Sequence, residues 1–104
     1  MEQIQYYPLG SVVLLKGGTQ KLLIIARAIQ VKNGDKNYFF DYGGVLYPDG
    51  LTGDRMAYFN HDGISKVVFE GLNDLENQNV VDTINRFKAE NPDLLMGDPK
   101  NWEQ

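Results

Sequence analysis

Few residues in this chain could do chemistry on their own. His61 is the only histidine and lies in Asn60-His61-Asp62, while Ser11 and Ser65 are the only serines. A histidine base, a hydroxyl and a carboxylate can form a nucleophilic set when folding holds them within hydrogen-bond reach. No nucleophile elbow and no HExxH pattern accompanies them. The residues favour a turn histidine that caps the following strand. With zero cysteines the chain has neither a disulfide framework nor a thiolate metal site. Asp41, Asp49, Asp54 and Asp62 could offer oxygens to Ca²⁺ or Mg²⁺, but the alternating spacing of an EF-hand loop is absent. They read as carboxylates that cap turns. Tyr42-Gly43-Gly44 and the Gly50/Gly53 pair lack the GxxxxGK[ST] and GxGxxG patterns of phosphate cradles, so these glycines are expected to serve backbone turns. No cofactor, no metal and no catalysis are expected.

The stretch from Asp41 to Asn60, DYGGVLYPDGLTGDRMAYFN, is too irregular for a helix and too aromatic for a linker. It is predicted to be an ordered loop on a β scaffold. Nine Tyr and Phe residues between Tyr6 and Phe59 cannot all face the core of a small sheet. Tyr and Arg are enriched at protein interfaces, which makes Tyr42, Tyr47, Arg55 and Tyr58 a candidate partner-binding patch. The alternative is that these rings roof the second face of the sheet.

The elements that must position these residues follow from pattern. The 104 residues make one domain. Apolar runs at Ser11–Lys16 and from Lys21 flank Gly17-Gly18, the clearest hairpin signal. Their consecutive apolar positions suggest a sheet covered on both faces or strongly coiled. A turn at Asn33-Gly34-Asp35 leads to an aromatic strand, Tyr38–Tyr42. Short strands are expected at Met56–Phe59 and Ile64–Phe69. Past Asn73 the period changes: Val80, Ile84 and Phe87, with Val81 beside them, form a helical stripe, Asn73 or Asp74 can cap it, and Pro92 stops it. The fold class is therefore α+β: a strongly twisted antiparallel sheet of about five strands, an SH3-like half barrel being one form of it, with one C-terminal helix packed on it. The domain spans 1–91, with its β part at 6–71 and the helix at about 74–91. The remainder, 92–104, is an irregular tail. Leu94, Leu95, Met96 and Trp102 in that tail either lie back on the domain or form a partner-binding segment.

Charge narrows the partners. Residues 1–72 hold seven acids and seven bases, whereas 73–104 hold seven acids and three bases, so the net charge of −4 belongs to the C-terminal third. No basic footprint for nucleic acid or an anionic membrane is present. The opening MEQIQYYPLG lacks a signal-peptide pattern, and no apolar run approaches the roughly 20 residues of a membrane span. A cytoplasmic protein is expected.

Tyr7-Pro8-Leu9-Gly10-Ser11-Val12-Val13, Leu15-Lys16-Gly17-Gly18, Asp41-Tyr42, Gly44-Val45-Leu46-Tyr47-Pro48, Gly50, Phe59-Asn60 and Val68-Phe69-Glu70-Gly71 together carry a specific resemblance. From Tyr6 to about Lys88 the sequence resembles the small-protein family called domain of unknown function 4176, encoded beside LXG-type toxins in type VII secretion loci of Gram-positive bacteria. The resemblance implies a non-enzymatic accessory protein that binds a cognate toxin, through its C-terminal toxin domain, as chaperone or targeting factor before export. An immunity protein that neutralises the toxin is the alternative, and an SH3-like nucleic-acid-binding module is third.

Overall fold

The computed structural model describes residues 3–99. Five strands, β1 (Val12–Leu15), β2 (Leu22–Asn33), β3 (Lys36–Leu46), β4 (Ala57–Phe59) and β5 (Ile64–Phe69), precede one helix, α1 (Leu75–Glu90). They form a single antiparallel sheet in the order β4-β3-β2-β1-β5. The fold is α+β, with the helix on the sheet. Consecutive strands pair from β1 to β4, and β5 returns to the far side of β1, leaving β4 and β5 at the edges.

Local chemistry explains the hairpins. β2 and β3 pair from Leu22↔Leu46 to Asn33↔Lys36. Gly34 takes a φ of +68° at the first of the two central turn positions, which a two-residue hairpin with one left-handed residue requires. At Ile25 the register shifts, and Ala28 adopts a φ of +55°, so β2 is bent and more strongly twisted there. β3 extends four residues beyond the predicted aromatic strand, through Gly43, Gly44, Val45 and Leu46, so the loop proper begins at Tyr47. Residues Phe39 to Val45 are buried without interruption, the signature of a strand covered on both faces.

Two glycines expected in turns lie inside β3. A Cβ on Gly44 would stand 3.2 Å from the Phe59 ring and 2.9 Å from the Leu23 carbonyl oxygen. Gly43 is closed in by Met56 and Ile29. Both serve close approach of neighbours, while Gly50 and Gly53 take the positive φ of true turns.

Tyr6, Val13, Ile24, Phe39, Tyr42 and Phe59 form the core together with Val81 and Ile84 of α1. Asp74 caps the helix, its Oδ1 accepting from Asn77 N–H at 2.9 Å. The inner face is rotated from the predicted stripe. Val81 is 1% exposed but Val80 is 45% exposed, and Phe87 sits at the flank, stacked on Phe39. The reason is polar: Asn77, Val81, Ile84, Asn85 and Lys88 share the inner face, and both asparagines are claimed by other segments. Asn85 bonds both backbone groups of Ile4, at 2.9 and 2.8 Å, while Asn77 accepts from Arg27 at 2.7 Å.

The tail lies back on the domain as far as Gly97. Phe39 N–H donates to Leu95 O at 2.7 Å and Gly97 N–H to Phe39 O at 2.8 Å, which extends the edge of β3 in parallel. Gly97 presses against the Phe40 ring, with no room for a Cβ. Leu94 packs on the core, whereas Leu95 and Met96 remain exposed. Trp102 is outside the described residues. Among those residues no helix is long and apolar enough to cross a membrane.

Candidate functional site

Asp41 is the convergence point of the molecule. A carboxylate set among aromatics in a central strand costs several kcal/mol unless it is paired and hydrogen-bonded. Here its Oδ1 accepts from Tyr6 Oη at 2.7 Å and from Lys88 Nζ at 3.2 Å, and its Oδ2 accepts from the His61 backbone N–H at 2.9 Å. Lys88 also donates to Tyr6 Oη and lies 5.3 Å from the Phe39 ring centre. Asn60 accepts from Asp41 N–H and donates to Gly97 O. The lead-in, the 3₁₀ turn at His61–Gly63 and the end of α1 thus meet at one side chain of β3, and Asn60 ties the tail to the backbone of the same residue.

The second layer is the histidine. Its ring stacks on Tyr7 and Tyr42, with centres 5.0 and 5.9 Å away, and its Nδ1 is 2.7 Å from Tyr42 Oη. Tyr42 Oη already accepts from Tyr7 N–H at 3.0 Å, so we assign its proton to His61 Nδ1 and the ring proton to Nε2. Burial holds His61 below its usual 6.5, against the opposing pull of Asp41 and Asp62. Burial pushes the Tyr42 and Tyr6 phenols well above the usual range, and the hydrogen bond to Asp41 adds to the shift at Tyr6. Neither serine joins this group: Ser11 Oγ accepts from Gly71 N–H, and Ser65 Oγ donates to Leu14 O. Asp41 meets the His61 backbone, not its ring. Among the described residues no three His, Asp or Glu side chains gather as a metal site needs.

Beside the cluster opens a cavity of about 500 Å³ between the end of α1, the Asn60–Asp62 turn and the tail. Ile4, Pro92, Leu94 and Met96 supply apolar wall, and Asp41, His61 and Lys88 form its polar floor.

The predicted patch is only partly assembled. Tyr42 is fully buried, which corrects its place there: its ring packs in the core and its hydroxyl is spent on Tyr7 and His61. Tyr58 is half-buried and stacks on Phe40, so it roofs the sheet. Tyr47 is exposed with Lys21 over its ring, and Arg55 is exposed in the turn closed by Thr52. Sequence reasoning missed Asp41 and Lys88 as a pair. An acid enclosed by aromatics in Phe39-Phe40-Asp41-Tyr42 was the available signal, since such a group must find a partner.

A second exposed surface lies at the other edge of the sheet. Phe69 is 61% exposed, Leu72 77% and Leu75 76%, and Val68 and Leu9 are exposed as well. Gly71 rests on the Leu9 backbone and Phe69 pairs with Val12, so the segments that carry Leu9, Phe69 and Leu72 meet at one corner, with Leu75 opening α1 next to them in sequence.

Fold and site together define a small α+β domain with a buried ionic hub, an adjoining cavity and exposed apolar residues beside the β5 edge. The chain matches the family model described as domain of unknown function (DUF4176) over residues 6–80, and it belongs to that family. No curated protein and no solved structure matches it.

Proposed function

We propose that this protein is a non-enzymatic accessory factor that binds a cognate LXG-type toxin in the cytoplasm and escorts it, as chaperone or targeting factor, to type VII secretion. The observation that carries the reading is the apolar corner of Leu9, Phe69, Leu72 and Leu75 beside the open edge of β5. Large exposed apolar side chains gathered at one edge suit protein binding, and an edge strand offers a row of backbone groups to an extended partner segment. Membership in the family supports the toxin as partner through the genetic setting that the resemblance implies. The bend of β2 at Ile25 and Ala28 supports reading the sheet as an SH3-like half barrel.

Co-purification of the neighbouring toxin on the tagged protein tests the reading. Phe69→Glu/Leu72→Glu is expected to cut retention at least tenfold, because it places charge on an apolar interface. Tyr47→Ala/Arg55→Glu reports on the other exposed patch. The reading is wrong if wild-type protein retains no toxin. The placement at β5 is wrong if a folded Phe69→Glu/Leu72→Glu variant binds as well as wild type.

A further inference from the structure

The cavity beside Asp41 has a chemical preference of its own. Asp41 and Lys88 are 3.2 Å apart and cancel, and the Lys88 ammonium is drawn back over the Tyr6 and Phe39 rings. Burial disfavours the charged form of the His61 ring. Among the described residues that line the opening, the carboxylate of exposed Asp62 is the charge left without an opposite partner. The helix adds to the same sign. Lys88 lies in the last turn of α1 and Asn91 is its C-cap, so the cavity faces the negative end of the helix dipole. An anion entering here would meet both the Asp62 charge and the helix end. The walls of Ile4, Leu94 and Met96 suit an aliphatic stem.

We propose that this cavity binds a monocationic alkylammonium or alkylguanidinium group, its stem against Ile4, Leu94 and Met96 and its charge at Asp62. A volume of about 500 Å³ lies within the usual range of ligand sites and holds such a group with room to spare. The chemistry is shared by a lysine or arginine side chain of a protein and by a free small amine. The inference stands apart from toxin binding, since small probes test it without any toxin.

The experiment titrates the full chain with n-butylammonium, 1-butanol and butyrate at fixed ionic strength and follows amide shifts of residues 60–62, 91 and 93–96. Saturable millimolar binding is expected in the order butylammonium, butanol, butyrate. Methylammonium should bind more weakly than butylammonium, because it lacks the stem. Asp62→Asn, an exposed change that leaves the core intact, should weaken butylammonium about three- to fivefold and leave butanol unchanged. Butyrate binding as tightly as butylammonium, or no saturable shift at these residues, overturns the proposal. Acetyl-lysine-amide and acetyl-arginine-amide matching or exceeding butylammonium assign the group to a peptide-borne side chain. Tighter binding of the free amine assigns it to a small molecule.

Discussion

At the scale of single residues, the hydroxyl of Tyr42 and the ammonium of Lys88 do what larger apolar groups do elsewhere. Tyr42→Phe keeps the ring but leaves Tyr7 N–H and His61 Nδ1 without their partner, and should cost about 1–3 kcal/mol in urea unfolding. Lys88→Met should cost about 3–5 kcal/mol, because it strands a buried carboxylate. Adding Asp41→Asn to Lys88→Met should recover part of that loss, since the uncompensated charge is then gone. Protonation has defined signs here. His61 titrates below 6.5 in the fold, so the unfolded chain takes up the proton first. Stability is full above pH 6.5 and falls as pH drops below it towards the folded value. His61→Gln should flatten that acid limb. Tyr6 and Tyr42 ionise above their usual 10.0 in the fold, so stability present below pH 10 is lost as pH rises beyond it. Denaturation midpoints across both ranges check the two limbs.

At the scale of elements, α1 illustrates how polar partners can set the rotation of an amphipathic helix. Its apolar residues would allow either Val80 or Val81 to face the sheet, and Asn77, Asn85 and Lys88 decide for Val81. Val81→Ala should therefore cost about 1–3 kcal/mol, whereas Val80→Ala should stay within about 0.5 kcal/mol. The tail offers a similar test. Gly97→Ala forces a methyl into the Phe40 ring, which should lift the segment from β3 and speed amide exchange at Phe39 and Gly97. The β1–β2 and β2–β3 hairpins are legible because glycine turns and strand-forming runs are local signals, whereas the β3–β4 pairing inside the expected loop is not. The helix face was misjudged because apolar spacing carries no information on which asparagines another segment will claim.

At the scale of the whole molecule, two exposed regions lie on opposite sides of the β4-β3-β2-β1-β5 order. One is the Tyr47–Arg55 loop and the other the Phe69–Leu75 corner. The exposed apolar residues are expected to limit solubility, so Phe69→Glu/Leu72→Glu should raise the protein's solubility limit in precipitation assays. Local patterns suffice for the α+β class, the number of strands, the turns at Gly17-Gly18, Gly34 and Gly50, the capped C-terminal helix and its stop at Pro92. These depend on propensities and periods that neighbouring residues share. Only the tertiary structure decided that β5 returns to β1, that Tyr42 lies inside, and that Asp41 finds Lys88 across 47 positions. Pairing between distant segments depends on which buried charges and amides can satisfy one another in space. No local period records that choice.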